Sequence, residues 1–197
     1  MKRLWAYCLT LYQSVMTVPA LLLSYPFVVL GLISHQAVGN ITEPSLVVSR
    51  IPFSFGEKVR LFYYRALLHS VGRGVVFKYG SYCQYRNTSF GNRVLIGHFS
   101  AVGEVSIGDS VLIGANVNIL SGLHQHTYAD PNALIWDSPG PRRKKLTIGS
   151  DVWIGSNAVV GNDIGNRCVV AANAAVFKRV KNNSLVGGNP AGFLMTI

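Results

Sequence analysis

Acidic side chains are scarce in this chain: eight Asp and Glu stand against eighteen Lys and Arg, a formal charge of +10. Such a balance favours phosphates, anionic membrane surfaces or nucleic acid. The basic residues are scattered, and no helix-turn-helix, zinc-finger or RNA-binding signature is present, which argues against nucleic acid. Cysteine is equally sparse. Cys8, Cys83 and Cys168 are far apart, odd in number and without C-x-x-C spacing, so neither a disulfide framework nor a metal site is expected, and a reducing compartment follows. At 197 residues the chain has room for one well-buried domain with an appendage, but not for two ordinary domains.

Charge is missing altogether from Leu4 to Ile33. The stretch from Val15 to Ile33 is about long enough to cross a hydrocarbon core of roughly 30 Å, and it exceeds the apolar length typical of a signal peptide. We read residues 1–53 as a retained membrane-anchoring segment and linker, with residues 4–33 meeting the membrane. Pro19 and Pro26 interrupt the stretch, so a bent or re-entrant helix pair competes with one straight span. Residues 54–71 predict an amphipathic helix. Ser54 and Glu57 have the spacing of a capping box, Val59, Phe62, Tyr63, Ala66 and Leu67 form one apolar face, and Lys58, Arg60 and Arg65 lie off it, available to anionic headgroups; that the same face caps the end of the following domain is an equal reading.

From Leu95 the pattern changes. Ile96-Gly97, Val102-Gly103, Ile107-Gly108, Ile113-Gly114 and Ile119 are followed, after a gap, by Ile148-Gly149, Ile154-Gly155, Val160-Gly161, Ile164-Gly165, Val170 and Val176. Most steps are six residues. A helix period of 3.6 does not produce that, nor does simple strand alternation. Six residues suit one side of a three-sided coil, with the aliphatic pointing inward and small or polar residues turning the corner. Stacked coils then make a solenoid with a ladder of Ile, Val and Leu at its centre. The expected fold is an all-β, left-handed parallel β-helix over residues 72–197, with residues 72–94 as degenerate first coils, preceded by the apolar segment and the amphipathic helix.

Between Ile119 and Leu146 the period is lost, and the intervening segment contains His124, His126, Pro131, Pro139, Gly140 and Pro141. A long loop (121–145) ejected from a regular solenoid is a candidate for function. Three motifs in order, "VSIGDSVLIGANVNILSGLH", "IGSDVWIGSNAVV" and "VGGNPAG", resemble those of the hexapeptide-repeat acetyltransferases that act on sugars and antibiotics. The resemblance spans residues 95–192. It implies an acetyl-CoA-dependent O-acetyltransferase, acting on a hydroxyl of a sugar or glycan in an envelope or exopolysaccharide pathway, with direct transfer in a ternary complex and no metal. It further implies a homotrimer, held here at the inner membrane with the catalytic domain facing the cytosol.

Residue by residue, the resemblance makes His124, which opens the loop, the general base, a role suited to an imidazole whose ordinary pKa is about 6.5. His126, Trp153 and Asp130 are candidates for the acceptor site, His126 also as an alternative base, and Asp130 or Glu104 as the group that orients His124. Ser156, Ala172, Lys178 and Arg179 are the candidate contacts to coenzyme A; corner-turning or packing would equally explain the small residues and Trp153. The family's arginines after N-P-A are missing from "GFLMTI", and Arg142, Arg143, Lys144 and Lys145 are possible substitutes or a solvated patch. Two other readings are a non-enzymatic β-helical scaffold on the membrane and a zinc enzyme of carbonic-anhydrase type using His98, His124 and His126.

Overall fold

The six-residue units fold as the sides of a coil. The computed structural model describes residues 14–123, 134–137 and 143–197. In it the chain passes repeatedly through three strand positions, building three parallel sheets. Sheet A stacks β1 (Ser70–Val71), β4 (Ser89–Phe90), β7 (Val105–Ile107) and β10 (Leu146–Ile148). Sheet B stacks β2 (Val76–Phe77), β5 (Leu95–Ile96), β8 (Val111–Ile113), β11 (Val152–Ile154), β13 (Cys168–Val170) and β15 (Ser184–Gly187). Sheet C stacks β3 (Tyr82–Cys83), β6 (Ala101–Val102), β9 (Asn118–Ile119), β12 (Val159–Val160) and β14 (Ala175–Val176). Bridges at Ile164 and Val180 continue sheet A past β10. This is the expected left-handed β-helix.

Alternation within each short strand sends one side chain inward and the next outward. The interior is therefore three buried columns: Phe77, Ile96, Ile113, Ile154, Val170 and Val186 under sheet B; Cys83, Val102, Ile119, Val160 and Val176 under sheet C; Phe90, Ile107, Ile148, Ile164 and Val180 under sheet A. The outward rows differ sharply. Sheet A shows hydroxyls, with Ser89 in register with Ser70 and Ser106, and Ser106 with Thr147. Sheet B shows Val76, Leu95, Leu112, Trp153, Val169 and Leu185, an apolar ladder in register.

Corners are held by side chains that stand in for strand partners. Where sheet A turns into sheet B, Asn92, Ser150, Asn166 and Asn182 each accept the backbone N–H of the residue one coil earlier, from Arg73, Asp109, Ser150 and Asn166 at 2.9, 3.0, 2.8 and 2.9 Å. Asp109 does the same for Asn92. The next residue in each coil, Arg93, Ser110, Asp151, Arg167 or Asn183, has positive φ. A second such column, Phe99, Asn116, Asn157 and Asn173, runs along the corner between sheets B and C. Asparagine, whose short amide tolerates this region, is the economical choice there.

Three features of the N-terminal segment bear on those expectations. First, of the straight and broken forms left open, α1 (Thr17–Val38) is a single helix that runs through Pro26. It is long and apolar enough to cross a membrane, the one such helix among the described residues. Second, the expected linker contains another helix, α2 (Thr42–Ser49). Third, α3 covers Phe53–Leu67, with Pro52 at its N-cap and no side-chain cap, so Ser54 and Glu57 do not form a capping box; Glu57 instead binds Lys78 at 2.8 Å.

The apolar face of α3 is also rotated. Gly56, Val59, Arg60, Tyr63, Tyr64 and Leu67 are buried, whereas Phe62 is only half-buried and Ala66 is exposed. Arg60, expected on the solvent side, is fully buried. Its Nε donates to Phe77 O at 2.9 Å, and its Nη1 donates to Ile51 O at 2.8 Å, Ser49 O at 3.2 Å and Val48 O at 3.4 Å. Burial pulls the guanidinium below its ordinary pKa, with nearby Tyr64 and Glu57 opposing. Tyr64 packs at a tilt against Phe77 with ring centroids 4.5 Å apart, and its Oη accepts the N–H of Cys83 at 3.0 Å. With α3 on β1 and β2 and α2 on β3, the two helices seal all three sides of the first coil.

At the other end β15 is followed by a turn containing the cis Asn189–Pro190 bond, then by β16 (Gly192–Thr196), which pairs antiparallel with β15. The sequence pattern gave no hint of this strand, because its five residues are all exposed and do not alternate.

Candidate active site

The loop leaves the solenoid where sheet C turns into sheet A, between β9 and β10. Its effect on the coil is visible in the register: the Asn92–Asp109 contact joins residues 17 apart, whereas Asp109 and Ser150, one coil apart in space, are 41 apart in sequence. The neck is closed by the backbone, Lys144 N–H donating to Ser121 O at 2.8 Å. Buried Ser121 in turn accepts the N–H of Glu104 on its hydroxyl at 2.9 Å.

Both limbs are tied down. On the return limb the Arg143 guanidinium lies 4.6 Å from the centroid of the Tyr85 ring, Lys144 binds Asp163 at 3.1 Å, and Lys145 donates to Asn87 at 3.2 Å. Arg143 and Lys144, though exposed, and Lys145 thus clasp the loop to other coils; Arg142 lies outside the described residues. Glu104, a candidate partner for His124, accepts from Asn87 Nδ2 at 2.7 Å. Asp163 also accepts the Thr147 N–H at 2.9 Å. Partial burial pushes its carboxyl upward, but the Thr147 N–H and the charges of Lys144 and Arg179 outweigh that and hold it below the ordinary carboxylate value. On the outgoing limb Leu123 packs so closely over Gly161 that a Cβ at 161 would collide with its methyl group. His124, His126 and Asp130 lie outside the described residues.

The other candidates fall at two corners and on one face. Trp153 stands on the outer face of sheet B, 56% exposed, in register with Leu112 and Val169. Ser156 and Ala172 occupy successive coils at the corner between sheets B and C. There the coils approach closely: a Cβ on Gly114 would meet Ser156 N at 2.6 Å, and one on Gly155 would meet Ala172 N at 2.5 Å. Ser156 Oγ accepts the Ala115 N–H at 3.2 Å, so its hydroxyl also serves the corner. Ala172 is exposed.

Lys178 and Arg179, both exposed, sit at the corner between sheets C and A, on the same edge as the loop. They border a cavity of about 660 Å³ beside the last coil, with Val186, Ala191 and Phe193. The structure thus gathers the cationic candidates with the loop and sets the small-residue pair across sheet C from them. His98 is at the B–C corner, its carbonyl accepting from Asn116 N–H at 2.8 Å, on the far side of sheet C from the loop's exit. No group of three His, Cys, Asp or Glu among the described residues is arranged to hold a metal.

Sequence reasoning missed Tyr85, Asn87, Gly161 and Asp163. For Asp163 a signal existed. The step from Val160 to Ile164 is four residues instead of six, and that shortened corner is where Asp163 reaches Lys144 and Thr147.

Comparison with known proteins agrees with this architecture. A family model described as the hexapeptide repeat of succinyl-transferase matches residues 88–121 and 145–178, stopping and resuming on either side of the loop. A putative lipopolysaccharide-biosynthesis O-acetyltransferase of Escherichia coli K12 is 31% identical over 133 residues, 63% of this chain and 62% of its own length. A probable macrolide acetyltransferase of Lysinibacillus sphaericus is 30% identical over 112 residues, 53% of this chain and 60% of its own. The chain thus spans about three-fifths of the length of these curated relatives. A hexapeptide-repeat acetyltransferase of Vibrio cholerae, solved with acetyl coenzyme A, superposes with a TM-score of 0.63 at 28% identity, covering 76% of this chain and 81% of that one. The chain thus carries hexapeptide repeats folded as a left-handed β-helix, similar to that of the hexapeptide-repeat acetyltransferases, preceded by an apolar N-terminal helix.

Proposed function

We propose that the protein is an acetyl-CoA-dependent O-acetyltransferase, working as a homotrimer at the cytosolic face of the inner membrane on a hydroxyl of a sugar or glycan. The observation that carries this reading is the clasped loop. A 41-residue spacing between stacked coils, tied down by Arg143, Lys144 and Lys145 beside Lys178 and Arg179, is an investment a plain scaffold does not need. The relative that belongs to lipopolysaccharide biosynthesis supports a glycan acceptor, and the V. cholerae protein's acetyl coenzyme A supports the donor.

The residues present suit coenzyme A. Its pantetheine arm needs backbone that side chains do not crowd, and Ser156 and Ala172 sit where coils pack too tightly for a larger residue next door. Lys178 and Arg179 supply exposed cations for phosphate. Bound acetyl-CoA brings an acyl group already activated as a thioester. The protein's remaining task is to take the proton from the acceptor hydroxyl as its oxygen attacks the acyl carbon, and to return a proton to the departing sulfur. His124, immediately after the anchored Leu123, does both, since a neutral imidazole becomes the acid needed for the second step. His126 and Asp130 follow within the same loop and serve the acceptor.

Trimer formation is supported by sheet B. Its outward ladder leaves Leu112 53% and Trp153 56% exposed in a single chain. Sheet A has hydroxyls at the corresponding positions. Packing sheet B against another copy removes the ladder from water and brings Trp153 to the seam between subunits, where it lines the cleft.

The test is acetyl transfer to a panel of sugars and glycolipids by wild type, His124→Ala and His126→Ala. Loss of about 10²–10⁴-fold in turnover is expected for the first, with a smaller loss for the second. Full turnover by His124→Ala on a true acceptor would overturn the assignment, and failure of wild type on every acceptor would favour the scaffold.

A further inference from the structure

The inner face of α1 is lined by Ala20, Ser24 and Gly31, all buried, and it lies along α3. Contacts at both ends fix this. Near the start of α1, Lys58 Nζ donates to Thr17 Oγ1 at 3.2 Å. Near its end, Gly31 is so close to α3 that a Cβ would sit 2.5 Å from Leu67 Cδ1 and 3.2 Å from Tyr63 Oη. The two helices therefore run side by side in the same direction. Meanwhile α3 is fastened across the first coil by Arg60 and Tyr64.

Turned away from α3, α1 is apolar and open to solvent in the isolated chain: Val18, Leu22, Tyr25, Leu30 and Ile33 are each at least half exposed. The same surface type continues onto Val47 of α2 and onto Phe53, which is 81% exposed. Around it the chain is basic. Arg50, Arg65 and Arg73 are exposed, whereas the only acids between Ser14 and Arg73 are Glu43 and Glu57, and Glu57 is taken by Lys78.

We infer that α1 does not cross the bilayer but lies in its plane, sunk into one leaflet along its outward side, with the first coil resting on the headgroups of anionic phospholipid. An upright α1 would carry α3 with it, placing Lys58, the Glu57–Lys78 pair and Arg65 at hydrocarbon depth, where charge is strongly disfavoured. An in-plane α1 leaves them at the headgroup level, where cations are favoured. Both ends of α1 then emerge on the side that carries the β-helix, and the lipid surface forms the floor beneath the first coil. This sharpens the membrane attachment proposed above and rests on it.

The test uses the full chain with a nitroxide placed singly at residues 18, 22, 29 and 33, bound to vesicles of phosphatidylcholine mixed with phosphatidylglycerol, and measures depth by accessibility to oxygen and to a polar relaxant. In-plane mounting predicts similar shallow-to-middle depths at all four positions. A span predicts a steady change of about 1.5 Å per residue along α1, about 22 Å in all, and would overturn the inference while leaving attachment intact. Labels that stay in water would overturn attachment itself. Partition onto the mixed vesicles should exceed that onto pure phosphatidylcholine, and Arg50→Gln with Arg65→Gln should lower the former roughly thirty-fold, about fivefold per charge; equal partition onto both vesicle types would overturn the choice of anionic lipid.

Discussion

Replacing Arg60 with alanine should separate the helical cap from the solenoid. The guanidinium joins three segments: the α2–α3 turn through Ser49 O and Ile51 O, α3 itself, and the first coil through Phe77 O. Its two shortest bonds, at 2.9 and 2.8 Å, are charge-assisted, each worth about 1.5–3 kcal/mol, and truncation leaves the carbonyls buried without that donor. Against this, an ion costly to desolvate is removed. The lost bonds outweigh that relief, and the net is about 3–5 kcal/mol. For a chain of this size each kcal/mol moves Tm by about 2–4 °C, so the variant should melt roughly 6–20 °C lower by far-ultraviolet circular dichroism in detergent. Limited proteolysis should then cut first between residues 49 and 53. Arg60→Lys, with one reach instead of two, should recover part of the loss. A shift of Arg60→Ala below about 3 °C would refute the reasoning, because it would mean that the carbonyls find other partners or that the desolvation penalty cancels the bonds.

Trp153→Ala should weaken trimerisation; sedimentation equilibrium would show a larger monomer fraction, and an unchanged distribution would argue against sheet B as the seam. Asp163 has a folded-state pKa below its unfolded value, so its stabilisation of the loop's return limb is present above the ordinary carboxylate value and is lost as pH falls through the lower folded value. Amide protection factors at 143–147, normalised to the intrinsic exchange rate at each pH, should fall over that range, and Asp163→Asn should remove the dependence; since Lys144 is 60% exposed, the charge contribution should stay under about 1 kcal/mol. Asn166→Ala deprives the Ser150 N–H of its acceptor and should cost about 1 kcal/mol in denaturant unfolding; no change would show that water replaces the amide.

The solenoid was legible because its period repeats: each aliphatic before a glycine became an inward column, and the gap after Ile119 became a loop. The helical cap was less so. A helix wheel places Arg60 on a polar face, and only the carbonyls of Phe77, Ser49 and Ile51, brought there by tertiary packing, make its burial favourable. Similarly, Ser54 and Glu57 have the spacing of a cap, yet Lys78, 21 residues on, is the stronger partner for Glu57. The clasp on the loop depends on Asp163, one coil away in space, and on Tyr85 and Asn87, two coils away, all distant in sequence, and local pattern does not register such pairs. β16 escaped because antiparallel pairing at an end needs no buried alternation.

That last strand has a consequence for assembly. Parallel coils present unpaired edges at each end of a solenoid, an invitation for molecules to add end to end into fibres. At one end α2 and α3 close it. At the other, β16 takes the edge of sheet B in the opposite direction, and Gly188 and Ala191 engage the backbone of Ala175 in sheet C. An incoming coil would meet a strand of the wrong polarity and a neighbour already occupied, so growth along the axis stops at one molecule while the flat sides stay open for lateral association.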